Sequence, residues 1–232
     1  MAFKNDMTMM FAMHDALRRE LERIARITER GGDDPRVILR TAAGWGMFKR
    51  YLHVHHGAED EILMPEVRKA LAGRPDDLAV IDAMEAEHAA VDPGIAFFDA
   101  AIADPESGPD KLAMIVDRLL TGLGGHLKHE EDEALALVDE VASPELLARF
   151  GAEHSIRIGA EGSVFLPWLL DGADAAAVAA VTGRLPAPVR AAFATIWVPA
   201  YVGSDIWAPG AAPGVAPAAT PGQAAAAPTA AG

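Results

Sequence analysis

Histidine and glutamate recur in this sequence at a spacing that could bind metal. His55 precedes Glu59 by four residues, and His126 precedes Glu130 by the same interval. Residues four apart in an α-helix lie one turn apart on one face, so each pair could direct an imidazole nitrogen and a carboxylate oxygen to the same ion. The chain has no cysteine, which excludes thiolate zinc sites and iron–sulfur clusters. Any metal would therefore be bound by nitrogen and oxygen.

Four long amphipathic segments contain these residues. The segments cover about residues 6–30, 35–72, 77–103 and 111–141. The runs between them are short and rich in glycine, proline and aspartate, and such connections favour antiparallel neighbours. The sequence therefore predicts an all-α fold, an up-down-up-down four-helix bundle over residues 1–142. Pro65 and Pro93 fall inside the second and third segments, where we expect a kink or a break.

The remainder of the chain differs in composition from these segments. Residues 143–208 contain three of the four tryptophans and predict an additional C-terminal helical unit with packed aromatic side chains. Residues 209–232 consist mainly of alanine, proline and glycine and contain no aromatic anchor. We expect this last stretch to be a disordered tail.

Net charge and hydropathy indicate which partners and which cellular location to expect. A formal net charge of −14 argues against nucleic acid or an anionic membrane as a partner, because both are bound by clustered lysine and arginine. No stretch approaches the roughly 20 apolar residues of a membrane-spanning helix, and the first residues lack the apolar core of a secretory signal. We therefore expect a soluble, cytoplasmic protein.

Helical phase predicts which histidines point inward. In the second segment the apolar positions recur in steps of three and four, and His55 and Glu59 fall in that stripe. His53 lies on the opposite side and His56 on the flank. One inward histidine is predicted in each of the other segments as well. These are His14, His88 and His126, the last with Glu130.

The predicted inward residues also lie at a common depth. The four histidines are at similar distances in sequence from the shared loops, so in antiparallel helices they meet at one level, roughly 25 Å from the loops. Burying four imidazoles and two carboxylates together without a cation would cost much free energy or force protonation. The sequence therefore predicts a metal site with six ligands. They are His14, His55, Glu59, His88, His126 and Glu130.

The number and type of these ligands favour two metal ions. Six side chains exceed what one tetrahedral zinc needs, and they fit two ions bridged by carboxylates and a solvent oxygen. Iron, manganese and zinc all accept nitrogen and oxygen ligands. Redox-active iron is favoured because this set leaves coordination positions open for a small ligand, while zinc and manganese remain open alternatives.

The order of these residues resembles that of the hemerythrin-like (HHE cation-binding) family. It reads H…HxxxE…H…HxxxE, and the stretches HHGAEDEILMP and HLKHEEDEALALV are similar to the family's second-helix and fourth-helix signatures. The resemblance covers about residues 7–140. It implies a non-haem di-iron centre with an oxo or hydroxo bridge, which binds dioxygen and, in various members, nitric oxide, peroxide or iron itself. The C-terminal unit, with its stretch FLPWLLDGAD, looks like the extension of actinobacterial-type members.

One departure from the family pattern concerns the third helix. Oxygen-carrying hemerythrins have two histidines one turn apart there, whereas here the position four after His88 is Asp92. Four histidines in place of five would make a more open or more reactive centre and would argue against reversible oxygen carriage. Asp92 as a seventh ligand is an open alternative.

Other histidines have less specific interpretations. His129 and Glu133 repeat the four-residue spacing and could compete with the neighbouring pair, although helical phase disfavours them. His53 and His56 are expected to be exposed or to lie beside the ligands without binding metal.

Two functions are compatible with such a centre. The first is a di-iron protein that binds, senses or detoxifies dioxygen, nitric oxide or peroxide. A reductive reaction would take electrons from a partner protein, because the sequence carries no flavin or nicotinamide motif, and no catalytic residue is assigned. The second is a non-catalytic iron sensor or store that signals metal loading through its C-terminal helices. Metal-dependent stability is expected in both cases.

Overall fold

The computed structural model describes residues 3–29 and 34–211. Within these ranges the regular secondary structure is entirely helical. From residue 212 onward, the tail expected at 209–232 lies outside the described residues. No helix in the described part of the chain is long and apolar enough to cross a membrane.

Four helical rods form the bundle. The first is α1 (Thr8–Glu29); the second comprises α2 (Pro35–Thr41), α3 (Ala43–Ala58), the π-helical turn π1 (Glu59–Leu63) and α4 (Met64–Ala70); the third is α5 (Pro75–Ala103); the fourth comprises α6 (Pro109–His129), the π-helical turn π2 (Glu130–Ala134) and α7 (Leu135–Val141). α1 packs against α3 and α6, α5 packs against α6, and α4 packs against α5 and α7. The all-α bundle predicted from the sequence is confirmed.

The two internal prolines have different consequences. Pro65 follows π1 and stands in the first turn of α4, where a backbone N–H is not needed to continue the helix. α5 runs through Pro93 without interruption, so a break there is wrong. Pro93 removes one hydrogen bond from a helix of 29 residues, and the packing of α5 against α6 holds the remaining turns in place.

The apolar interior consists of two clusters with a polar layer between them. In α1, His14 lies between Met10 of one cluster and Leu17 of the other. In α5, His88 likewise separates Met84 from Phe98. Close-packed apolar side chains on both sides hold the polar layer rigidly and keep bulk water away from it.

The C-terminal helices pack on the side of the bundle. They are α8 (Pro144–Ile158), a 3₁₀ turn (Gly159–Glu161), α9 (Gly162–Leu170), α10 (Ala175–Thr182), α11 (Ala187–Ala192), the π-helical turn π3 (Phe193–Trp197) and α12 (Val198–Ser204). α8 contacts α3 and π1, whereas α9 and α10 contact α1. The ring of Tyr51 on α3 lies 5.0 Å from that of Phe165 and 4.7 Å from that of Trp168, centroid to centroid. The C-terminal helices therefore contribute to the same apolar cluster as the bundle.

Gly44→Ala is expected to lower the free energy of unfolding by about 2 kcal/mol, because a methyl group there would overlap the indole ring of Trp207. The Gly44 N–H donates to the carbonyl of Ile206 (2.8 Å), and the Trp207 Nε1–H donates to buried Glu20 (2.9 Å), so this indole anchors the end of the C-terminal unit. Urea unfolding measures the change. The matched control is Gly46→Ala, where the space is open and alanine should be neutral or stabilising. Equal loss in both variants would contradict the packing role of Trp207.

Candidate metal centre

The six predicted ligands meet in the middle of the bundle, and His56 lies with them. All seven side chains are buried, with at most 7% of any residue exposed. Their potential ligand atoms form two groups in which the atoms lie within 4.8 Å of one another. The first group is His14, His55, Glu59 and Glu130, and the second group is His56, His88 and His126.

Within each group, two histidines point their Nε2 atoms at each other. Nε2 of His14 lies 3.1 Å from Nε2 of His55, and the same distance separates Nε2 of His88 from Nε2 of His126. Two nitrogens bound at right angles to one ion at about 2.1 Å each are about 3.0 Å apart. Each pair therefore has the spacing of adjacent ligands on a single metal ion.

The hydrogen-bond partners of His88 and His126 also favour a cation between their Nε2 atoms. Nδ1 of His88 lies 2.7 Å from Asp60 Oδ1, and Nδ1 of His126 lies 2.9 Å from Glu87 Oε2. A carboxylate accepts the Nδ1–H, so in a neutral imidazole the Nε2 atom keeps its lone pair. Two such lone pairs facing each other at 3.1 Å repel unless a cation lies between them. The residues present thus fit a bound metal ion.

The two inward glutamates lie between the two groups. Oε1 of Glu59 is 3.5 Å from His55 Nε2, while its Oε2 is 3.8 Å from His88 Nε2. Glu130, a member of the first group, has its Oε2 3.9 Å from Nε2 of His126 in the second. Each carboxylate can therefore contact an ion in either group, which is the arrangement of a bridging ligand.

These carboxylates lack ordinary partners. Both oxygens of Glu59 and both oxygens of Glu130 are buried and make no well-aligned hydrogen bond to the described residues; the nearest donor is Nε2 of His14, 3.2 Å from Glu130 Oε2. Burial, together with the nearby Glu130, raises the pKa of Glu59 well above its usual value. Burial lowers the pKa of His14, but its contacts with Glu130 and Glu131 outweigh that effect and raise it to about 9. Burial, together with the neighbouring histidines, instead lowers the pKa values of His55, His56 and His126, which keeps these imidazoles in the neutral form that can bind metal.

Both glutamates begin a π-helical turn. Glu59 opens π1 and Glu130 opens π2, and in each turn a backbone N–H bonds to the carbonyl of that glutamate five residues earlier. Pro65 follows the first turn, but no proline follows the second within α7, so proline is not the common cause. The shared feature is the buried glutamate, in keeping with the occurrence of single π turns at functional sites.

The residue after each glutamate supports a histidine on another helix. Asp60 on the second rod accepts from His88 on the third, and Glu131 on the fourth rod lies 2.8 Å from Nδ1 of His14 on the first. Glu131 is itself held by Arg18, 2.8 Å away. Hydrogen bonds of this kind fix the orientation of a metal-bound imidazole and increase its basicity. Helical phase did not single out these two positions.

His56, expected to be exposed or to lie beside the ligands, is placed by the structure as a further potential ligand. It is 6% exposed, and its ring stacks on that of His88 with centroids 4.1 Å apart. Its centroid lies 5.0 Å from that of His126, and its Nε2 is buried without a hydrogen-bond partner among the described residues. The neighbouring His53 is exposed.

A signal for His56 was present in the sequence. Leu52, His56, Glu59 and Leu63 follow one another in steps of four, three and four, which is a second inward stripe on the same helix. A helix that packs between two neighbours has an inner face wide enough for both stripes, so a single stripe was too narrow an interpretation. The centre therefore offers five imidazoles rather than four.

The two alternative ligands lie outside the groups. Nδ1 of His129 is 2.9 Å from Glu87 Oε1, and its Nε2 is 3.8 Å from Glu133. Asp92 is exposed. Glu87, which the sequence did not single out, joins His129 to the ligand His126 through its two oxygens.

Asp60→Asn is expected to weaken metal binding by about 10–100-fold, because the His88 imidazole loses its anionic hydrogen-bond acceptor. Competition with a chelator of known affinity measures the change. Asp132→Asn is the matched control, since Asp132 follows the other inward glutamate by two residues but its side chain is exposed and paired with Lys128. Similar affinities in the two variants would contradict the supporting role of Asp60.

Comparison with known proteins agrees with this geometry. A family model described as the hemerythrin HHE cation-binding domain matches residues 5–138, which is more than half of the chain. The comparison with curated proteins found no significant match, and neither did the comparison with solved structures. The matched range contains both groups of potential ligands. The chain therefore belongs to the hemerythrin HHE cation-binding family.

Proposed function

We propose that this protein holds two iron ions and binds dioxygen, nitric oxide or peroxide, which it senses or detoxifies. The observation that carries the proposal is the pair of histidine groups with two buried carboxylates between them. Such a set suits first-row transition metals. Two iron ions held there would supply one-electron redox chemistry and open coordination positions for a small ligand.

The protein residues have separate roles in this proposal. His14 and His55 would hold one ion, and His56, His88 and His126 would hold the other. Glu59 and Glu130 lie between the two groups and would neutralise part of the metal charge. The surrounding acids orient the imidazoles through Nδ1, so that the ligands are arranged before metal binds.

The fifth imidazole alters the choice among these functions. Four histidines would disfavour reversible binding, and His56 would supply a fifth imidazole. More nitrogen ligands leave fewer open positions for reaction, which favours binding or sensing over rapid turnover. A detoxifying reaction would in addition take electrons from a partner protein.

The test begins with protein purified from iron-supplemented cells. We expect about two irons per chain and near-ultraviolet absorption that changes when peroxide or nitric oxide is added. His55→Ala should lose this absorption, and zinc-loaded protein, which is spectroscopically silent, provides the baseline. No iron, or a single zinc ion per chain, would contradict the proposal.

A metal sensor or store is the second candidate. It is supported by the contact of α8 with α3 and π1, the elements that carry His55 and Glu59. Metal loading could therefore alter the C-terminal helices without any reaction. Under this alternative, iron would change the protease sensitivity of the C-terminal helices, while peroxide and nitric oxide would leave the spectrum unchanged.

A further inference from the structure

A cavity of about 440 Å³ lies between α1 of the bundle and the C-terminal helices α8 and α9, and it reaches the predicted ligand His55. Its wall is mainly apolar. It includes Met10, Met13, Phe150, Phe165, Leu166 and Leu169. None of the described residues that line it is lysine or arginine, and its one carboxylate, Asp6, is paired with Arg184.

His55 differs from His14, His88 and His126 at its second ring nitrogen, Nδ1. His14, His88 and His126 each direct Nδ1 to a carboxylate. Nδ1 of His55 makes no hydrogen bond to the described residues, although the residue is only 1% exposed. Its neighbour in the cavity wall is the ring of His154, with centroids 6.1 Å apart.

His154 is the second polar group without a partner in this cavity. It is half-buried against Phe150 and Phe165, and neither ring nitrogen bonds to a residue in the described part of the chain. Polar atoms without a protein partner at the wall of an open, mainly apolar cavity bond to water or to a bound molecule. Two imidazoles therefore face one apolar space with unused hydrogen-bonding capacity.

We propose that this cavity binds an uncharged, largely apolar small molecule whose one polar group hydrogen-bonds to His55 Nδ1 or His154. The volume lies in the usual range for small-molecule sites. The flexible methionine side chains can adapt to the shape of such a molecule. The absence of lysine and arginine from the described wall disfavours carboxylates and phosphates, which need a cationic partner when buried.

Such an occupant would act on the metal centre through His55. A group that accepts a hydrogen bond from Nδ1 increases the donor strength of the imidazole toward metal, as the carboxylates do for the other histidines. The cavity would thus make the metal centre responsive to an apolar molecule that never touches the metal. This second step rests on the proposed metal-binding function, whereas binding in the cavity does not.

The test uses two probes with the same ring system, neutral 1-naphthalenemethanol and anionic 1-naphthoate. Calorimetry on the full-length protein, iron-loaded and chelator-stripped, should show binding of the alcohol and at least about tenfold weaker binding of the carboxylate. In iron-loaded protein the alcohol should also shift the near-ultraviolet absorption.

Variants locate the binding. Gly151 lies on the cavity wall, and no heavy atom stands within 4 Å of the position of an added Cβ, so Gly151→Phe can be accommodated and its ring is expected to obstruct the cavity and reduce binding at least about tenfold. Gly151→Ala is the matched control and should bind as the parent does. His154→Leu should weaken binding of the alcohol several-fold. This variant provides an independent check if Gly151→Phe fails to fold.

The outcomes separate the two proposals. If the protein takes up no iron even when iron is supplied but still binds the alcohol, the cavity proposal is supported and the di-iron function is contradicted. Iron-loaded protein that binds neither probe, or binds both equally, would overturn the cavity proposal and leave the di-iron function intact. Binding of the alcohol that is unaffected by Gly151→Phe and His154→Leu would overturn it as well. Binding without a spectral shift would overturn the action through His55.

Discussion

Replacing Glu59 by leucine is expected to abolish binding of at least one iron and yet to raise the melting temperature of the metal-free protein. Glu59 is fully buried, and neither of its oxygens has a hydrogen-bond partner among the described residues. Replacing a buried, poorly compensated polar group by an apolar one of similar volume often stabilises a protein, here by about 2 kcal/mol or roughly 5 °C. Iron analysis and calorimetric unfolding measure the two effects.

The opposite signs of these effects distinguish a metal ligand from a structural carboxylate. If Glu59 served to hold the bundle together, the leucine variant would unfold at a lower temperature with or without metal. Glu66→Leu, at an exposed position in α4, is the matched control and should change neither iron content nor stability appreciably. Retention of two irons by Glu59→Leu would contradict the bridging role.

His56→Ala is expected to reduce iron content from two ions per chain to one. His56, His88 and His126 form the second ligand group. Loss of one of these imidazoles should lower the affinity for the second ion at least about 100-fold, because changes to a residue that only supports a ligand already lower metal affinity about 10–100-fold. Metal analysis after dialysis against a weak chelator measures the loss. The remaining ion should stay with His14 and His55.

His53→Ala is the matched control for this variant. His53 and His56 are the same residue type three positions apart on α3, but His53 is exposed whereas His56 is 6% exposed. We expect His53→Ala to retain both ions and the parent spectrum. Equal iron content in the two variants would show that the centre uses only the six ligands predicted from the sequence.

The class of fold and most of the candidate site could be predicted from the sequence. Periodicity of apolar residues at 3.6 per turn predicts four amphipathic helices, and short connections make them antiparallel, so residues such as His14 and His126 can be assigned to one level without coordinates. These are local rules, and they act within one helix or across one loop. The structure brings all six of the predicted ligands together.

Other features were decided only by the tertiary structure, because they depend on which helices are neighbours. Helical phase assigned one stripe to the second rod, whereas contact with two neighbours buries the stripe of His56 as well. The acids that orient the histidines lie on different helices from the residues they support, as Asp60 does for His88. Spacing along the chain carries no information about such pairs.

The cavity beside His55 arises for the same reason. One wall comes from α1 and the other from α8 and α9, and α1 ends more than a hundred residues before α8 begins. Apolar residues at helical spacing predict that a face is buried, but not how completely the facing side chains fill the space between helices. The hydrogen-bonding environment of His55 Nδ1 is therefore set by tertiary packing, while its position as an inward histidine follows from sequence alone.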